Sequence, residues 1–182
     1  MRDPCYTEFK QDEEGKMIGI EEIAPEELPA FWDTHIRYLI DDGIISDEED
    51  IEYFAGGEYR GIIEAHMKRE QNRHHVIYFL CGGQRIGAAS FCIYADEGGK
   101  CFILDFWVFP AFRGNGRGHD CFSALTRYAE ADGAKWYELN SEKEASVRFW
   151  KSLGFTENGV DEYDMPLFIK GKPEAQYDTD RP

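Results

Sequence analysis

The sequence predicts an α+β (α/β) fold: a mixed, mostly antiparallel central sheet flanked by helices. Three observations predict it. Apolar runs at residues 76–81, 85–94 and 101–109 are separated by Gly82-Gly83 and Gly98-Gly99, turn dipeptides that join consecutive strands into an antiparallel meander. On either side lie segments with apolar residues at helical spacing: Leu28, Phe31, Trp32, Ile36, Leu39 and Ile40 before the meander, Phe122, Leu125, Tyr128 and Ala129 after it. The chain has 182 residues, 42% of them apolar, enough for one domain with a real core.

The elements follow in order. Residues 1–16 are polar and acidic and read as an N-terminal extension, residues 17–170 as a single domain and residues 171–182 as a flexible tail. A first strand is expected at 17–23. Pro25 opens a helix that Gly43 ends. Ser46-x-x-Glu49 has the form of a capping box for a second helix, continued by Tyr59, Ile62, Ile63, His66 and Met67. After the meander a helix is expected at 116–132 and a strand at 135–140. Ser141-x-x-Glu144 caps a further helix that stops at Gly154, with Phe155 as the apolar residue past its end, and a last strand lies at 165–169.

Composition excludes several classes. With 36 acidic and 20 basic residues the formal net charge is −16, which argues against nucleic acid as a partner and favours a cationic one. No apolar run is long enough to span a bilayer, and the N-terminus lacks a signal-peptide core, so a cytoplasmic protein without membrane contact is expected. Five cysteines with no C-x-x-C pair read as reduced thiols rather than a disulfide frame, and His74-His75 without spaced partners is a poor ligand set, so no metal is expected.

The most informative stretch is Arg113-Gly114-Asn115-Gly116-Arg117-Gly118, placed between an apolar strand and an amphipathic helix. The first N–H groups of a helix lack internal partners, glycines let backbone approach a ligand closely, and the helix dipole with two arginines favours an anion. An ordinary tight turn with exposed arginines is the plain alternative. A Walker A loop fails because no Lys-Ser or Lys-Thr follows the glycines. A dinucleotide fingerprint fails because His119 stands where the third glycine belongs.

Arg113, Gly116 and Gly118 fill the pattern [RQ]-x-x-G-x-[GA], Val108-x-Pro110 precedes it, and Phe149-Trp150-Lys151-Ser152-Leu153-Gly154-Phe155 follows. In this the chain resembles the GNAT superfamily of acyl-CoA-dependent N-acyltransferases (N-acetyltransferases), whose element order matches the one read above. The resemblance implies a GNAT-like fold in which the strand before the glycine loop and the strand after its helix splay apart and admit the pantetheine arm. On this sequence it implies acetyl-CoA as co-substrate, with the backbone of Trp107 and Val108 facing pantetheine, the amides of Gly114, Asn115, Gly116, Arg117 and Gly118 under the pyrophosphate, Arg113 and Arg117 as a local basic island, and Trp150 read either as packed against CoA or as core.

N-acylation needs a proton acceptor for the amine and donors for the developing oxyanion. Asp105, a carboxylate inside an apolar strand on the same face as Trp107, is the first candidate base; Glu138 on the neighbouring strand is the second. Each has a plain alternative, Asp105 as a hydrogen-bond acceptor and Glu138 as a solvated strand residue. The tyrosine that the family often uses as general acid is replaced by Trp150, and the asparagine often found seven residues earlier by Lys143. Tyr163, Tyr137, Cys121 or water remain as substitutes. Seven acids between Asp41 and Glu52 read either as an acidic lip for an amine or as N-terminal charge on a helix. Trp32, Tyr38, Tyr53, Phe54 and Tyr59 read either as an aromatic wall of the acceptor pocket or as core. The expected function is transfer of acetyl from acetyl-CoA to a primary amine of a small-molecule or peptide acceptor, by direct attack in a ternary complex, in a monomer or homodimer. The alternative is a non-catalytic acyl-CoA-binding sensor domain.

Overall fold

The computed structural model describes residues 17–172. The extension expected at 1–16 and the tail beyond Lys172 lie outside the described residues. A seven-stranded sheet runs in the order β1-β2-β3-β4-β5-β7-β6, built from β1 (Gly19–Glu22), β2 (His74–Cys81), β3 (Gln84–Tyr94), β4 (Lys100–Val108), β5 (Trp136–Asn140), β6 (Thr156–Val160) and β7 (Pro166–Lys170). Neighbours pair antiparallel except β4 with β5, which are parallel. Helices α1 (Leu28–Asp41), α2 (Glu48–Ala55) and α3 (Gly57–His66) precede the meander; α4 (Arg117–Ala131) and α5 (Glu144–Ser152) bracket β5.

Strand alternation divides the core in two. On one face Ile77, Phe79, Phe91 and Ile103 pack with Cys121, Phe122 and Leu125 of α4 and Trp150 of α5. On the other, Val76, Tyr78, Ala88 and Trp107 pack with Phe31 and Trp32 of α1 and Tyr59 and Ile63 of α3. Strand β2 is therefore buried on both faces from His74 to Phe79, which explains its near-continuous apolar run. In β4 the pairing passes from Ser90↔Asp105 to Phe91↔Ile103, so Leu104 is a bulge and is 43% exposed. The bulge changes which residues face which layer. Before it Cys101 and Ile103 face α4; after it Phe106 and Val108 do, and Asp105 and Trp107 turn towards α1.

Several local expectations are corrected. The second helix is two, broken at Gly56, and its cap is Asp47, whose side chain accepts from the Asp50 amide at 2.9 Å; Ser46 is not the cap. Asp47 and Ser46 are comparable cap acceptors, and Asp47 is the one next to the first helical residue. Ser141 does not cap α5, which starts at Glu144; its hydroxyl instead meets Ser146 Oγ at 2.9 Å. Strand β6 was not anticipated, because Thr-Glu-Asn-Gly-Val has no apolar alternation and is exposed throughout.

Two predictions follow from this packing. A Cβ on Gly87 meets Trp107 O at 2.4 Å, backbone that cannot move without breaking the β3–β4 ladder. Gly87→Ala is expected to cost about 2–3 kcal/mol in chemical denaturation. Glu22 at the end of β1 lies 3.4 Å from His75 Nδ1, accepts from Tyr128 Oη at 2.7 Å and pairs with Arg73 at 3.0 Å. The His75 contact first, then Tyr128 and Arg73, hold its carboxyl well below the ordinary 4.5, at about 2. A depressed carboxyl contributes stability that is present above its unfolded pKa and lost as pH falls through the folded one. Denaturation scans from pH 5 to about pH 2 should show this loss in wild type and a flatter profile in Glu22→Gln.

Candidate active site

Strands β4 and β5 pair only over Lys100↔Trp136, Cys101↔Tyr137 and Phe102↔Glu138. Beyond that point β4 continues along β3 to Val108, whereas β5 is drawn towards the β6–β7 hairpin. Asn140 Nδ2 donates to Asp161 Oδ2 at 2.9 Å, and the Ser141 amide donates to Pro166 O at 3.2 Å. Between the diverging strands lies a cleft of about 840 Å³, lined on one wall by residues 103–108 and on the other by residues 139–143, Ala145 and Ser146 with Phe149, Trp150 and Met165.

The strand geometry decides which backbone groups face this cleft. Phe109 N donates to Ile86 O at 2.8 Å, and Trp107 O lies on the side of Gly87. The peptide groups of Trp107 are thus turned to β3, and those of Val108, and of Phe106 before it, to the cleft. The Val108 carbonyl accepts from Arg113 Nε at 2.7 Å. Trp107 borders the cleft through its side chain, on which Tyr38 stacks with centroids 4.4 Å apart and rings 6° from parallel.

At one end of the cleft stands the glycine turn. Gly114, Asn115 and Gly116 all have positive φ, which lets the chain reverse tightly into α4. Neither Gly114 nor Gly116 has an atom within 4 Å of an added Cβ, so this face is open to a ligand. Inside α4 the amides of Gly118 and His119 have no carbonyl one turn back. Arg113 and Arg117 both line the cleft. Arg113 Nη2 donates to Asp42 Oδ2 at 2.6 Å, and Arg117 Nη1 lies 3.7 Å from Cys81 Sγ. From the opposite wall Lys143 Nζ donates to the carbonyls of Asp42 and Gly43. The C-terminus of α1 is therefore fastened to both walls across the mouth of the cleft.

The two candidate carboxylates separate. Asp105 lines the cleft, is 10% exposed, and its Oδ2 lies 3.1 Å from His35 Nε2 on α1. Glu138 lies in the paired part of β4–β5, 12% exposed and 3.6 Å from Lys100 Nζ, and does not line the cleft. It is itself the last residue of β5 paired to β4, before the strands part. Trp150 lines the cleft while its ring packs against Phe106, Phe122 and Phe155.

None of the three substitutes for the missing tyrosine borders the cleft. Tyr137 Oη donates to Thr126 O at 3.3 Å beneath α4, Cys121 is fully buried with its thiol pushed up to about 12 by that burial, and Tyr163 is 77% exposed. Tyr38 does border it. Burial, then the charges of Asp105 and Asp42, raise its pKa far above the ordinary phenol, so its hydroxyl stays protonated and is a hydrogen-bond donor. Of the seven acids between Asp41 and Glu52, Asp42 alone lines the cleft; Asp47 caps α2, and Glu48, Glu49 and Asp50 fill its first turn. Of the five aromatics, Tyr38 lines the cleft, Trp32 and Tyr59 are buried, Phe54 packs beside them, and Tyr53 is half-exposed. Among the described residues no group of three or more His, Cys, Asp or Glu side chains is arranged to hold a metal, and no helix is long and apolar enough to cross a membrane.

A Cβ on Gly118 meets Phe149 Cε2 at 2.8 Å, so this glycine lets the Phe149 ring of α5 pack directly against the α4 backbone beside the cleft. Gly118→Ala is expected to push the Phe149 ring into the cleft. Calorimetry should show affinity for CoA reduced about tenfold, while stability changes by no more than about 1 kcal/mol.

The arrangement recurs in solved structures. The PaiA N-acetyltransferase of Thermoplasma acidophilum, determined in complex with coenzyme A, is 15% identical and superposes with a TM-score of 0.66 over 85% of this chain and 99% of that one. An acetyltransferase from Streptococcus agalactiae is 16% identical, with a TM-score of 0.62 over 87% and 100%. The acetyl transferase of Salmonella typhimurium that modifies the N-terminal serine of 50S ribosomal subunit protein L7/L12 is 16% identical, with a TM-score of 0.60 over 87% and 97%. At these identities the likeness is one of fold. No curated protein matches by sequence. The sequence profile of the Acetyltransferase (GNAT) family, however, matches residues 18–155, which hold every strand of the meander, the glycine turn and both helices around the cleft. The chain belongs to the GNAT acetyltransferase family.

Proposed function

We propose that this acyltransferase moves the acetyl group of acetyl-CoA to a primary amine of a cationic small molecule or peptide, by direct attack in a ternary complex. The observation that carries the reading is the continuity of the cleft, which runs from the glycine turn to a nearly buried carboxylate, Asp105. Pyrophosphate at the turn would meet the first-turn amides of α4 and the guanidinium groups of Arg113 and Arg117. The Phe106 and Val108 peptide groups are aligned to pair with pantetheine amides between the strands. Trp150, at the edge of the aromatic core, gives the acyl arm an apolar wall.

The chemistry then needs little from the protein beyond position and one acceptor. Asp105 takes the proton that the attacking amine loses. The rings of Trp107, Tyr38 and Tyr59 beside the His35–Asp105 pair give one side of this carboxylate an apolar setting, which strengthens its attraction for a cationic ammonium. Tyr38, as a phenol that stays protonated, offers its hydrogen to the developing oxyanion or thiolate rather than delivering a proton. Asp42 and the overall charge of −16 favour a cation at the cleft mouth. Glu138 has no part in this account.

The test is a screen of primary amines (polyamines, aryl-ethylamines, amino-acid amides and basic peptides) with thiol release from acetyl-CoA as readout, on wild type, Asp105→Asn and Arg113→Ala/Arg117→Ala. Asp105→Asn should lower kcat about 10²–10⁴-fold with acetyl-CoA affinity retained. The double arginine variant should lose acetyl-CoA affinity by at least about tenfold for each charge removed. Binding of acetyl-CoA with no transfer to any amine would contradict the reading.

A further inference from the structure

On the buried face of α1, behind Asp105, lies a group with no part in the transfer as described above. His35 is 1% exposed and sits in a box of rings: Phe31 stacked at 5.8 Å, Tyr59 parallel within 7° at 6.1 Å, Trp32 edge-on at 5.6 Å and Trp107 at 5.9 Å. Its Nε2 meets Asp105 Oδ2 at 3.1 Å, and its Nδ1 is buried with no hydrogen-bond partner. A phenylalanine or leucine would fill the same box without stranding a polar atom, which is costly in a buried site. Packing therefore does not account for an imidazole here; the bond to Asp105 does.

We infer that His35 is a positioning residue for the transfer: its Nε2–H holds Asp105 Oδ2 and sets the face that the carboxylate presents to the cleft. The inference rests on the reading of Asp105 as the base. The tautomer follows from the geometry. A carboxylate oxygen at 3.1 Å requires a donor on Nε2, and a stranded lone pair on Nδ1 is cheaper than a stranded N–H. The other groups that face the pair are phenols, a carboxylate, a guanidinium and a second imidazole, each with its own contacts. From α1 comes the Tyr38 phenol, and from α3 the Tyr59 phenol, its pKa raised by burial and then by Asp105. Glu64 of α3 is engaged with Trp32 Nε1 at 2.8 Å, and Arg60 lies over the Trp32 ring. From β2 and β3 come His74 and Ser90, bonded to each other at 2.6 Å, with His74 brought down to about 4 by burial and so neutral.

In the step itself the amine nitrogen bonds to the thioester carbon, the C–S bond breaks to release the CoA thiolate, and the amine proton passes to the oxygen of Asp105 that His35 does not hold. His35 keeps its proton throughout. When Asp105 is charged the imidazole N–H stabilises it, and when Asp105 is protonated the same bond keeps its orientation for the next turnover.

The test joins NMR to kinetics. The ring nitrogens of His35 are assigned by ¹⁵N–¹H spectra of wild type, and the Asp105 carboxyl is titrated by ¹³C NMR in wild type, His35→Gln and His35→Phe. Transfer is followed with spermidine, or with the amine that reacts fastest in the screen. The expected result is hydrogen on Nε2 alone. In His35→Phe the Asp105 titration and the acid limb of kcat should both move to higher pH, because a carboxylate that loses a donor is harder to ionise. kcat should fall about 10–100-fold with acetyl-CoA affinity unchanged, and His35→Gln, which keeps a neutral N–H, should restore most of both. A proton on Nδ1 in wild type, or an Asp105 titration indifferent to His35→Phe, overturns the inference even if Asp105→Asn abolishes transfer. Undiminished transfer in Asp105→Asn removes instead the reading on which it rests. If His35→Phe does not fold, the wild-type tautomer and the His35→Gln titration decide.

Discussion

The feature on which the rest of the molecule depends is a pair of parallel strands that stop pairing. Buried backbone N–H and C=O groups are almost always bonded, so a strand that leaves its neighbour inside a sheet needs another partner or a ligand. In β4 the departure is prepared by the Leu104 bulge and sustained by the ladder to β3, which continues to Val108. In β5 it is enforced from the other side, where Asn140 and Ser141 are bonded to the β6–β7 hairpin. Arg113 then takes the Val108 carbonyl at the open end. The cleft is thus held open by bonds that each strand makes elsewhere.

The chemistry of the cleft is set by what the two layers place around it. The α4–α5 layer supplies the glycine turn and an apolar wall. The α1–α3 layer supplies Tyr38, which stacks on Trp107 of β4, and His35, which meets the Asp105 carboxylate from behind. Fastening of the α1 C-terminus by Arg113 from one wall and by carbonyl bonds to Lys143 from the other ties these layers together at the mouth. Arg113 thus joins the glycine turn to Asp42 at the mouth of the cleft.

Much of the fold was legible in the sequence because local signals agreed. Two Gly-Gly turns between apolar runs define the meander, and Gly154 with Phe155 marks the end of α5, where Phe155 is 2% exposed. Strand β6 was not legible, since it is exposed on both faces and carries no periodic pattern. The cap of α2 was ambiguous because Ser46 and Asp47 are adjacent acceptors and tertiary placement chose the second. At the site, Asp105 and Glu138 are alike as strand carboxylates; only the point at which β4 and β5 part puts one in the cleft and the other beside Lys100. Trp107 and Val108 differ in which way their peptide groups point, which depends on the register to β3 rather than on residue type. His35 was invisible for a similar reason: on the apolar face of a helix it looks like core, and its partner is 70 residues away.

The most direct measurement is a crystal structure of the protein with acetyl-CoA. The account predicts the pantetheine arm between residues 106–108 and 139–140, the pyrophosphate over residues 114–118, and the acetyl group on the Asp105 side of the cleft with β4 and β5 still parted. A molecule bound elsewhere on the surface, or β4 and β5 closed into a continuous ladder beside it, would contradict the account.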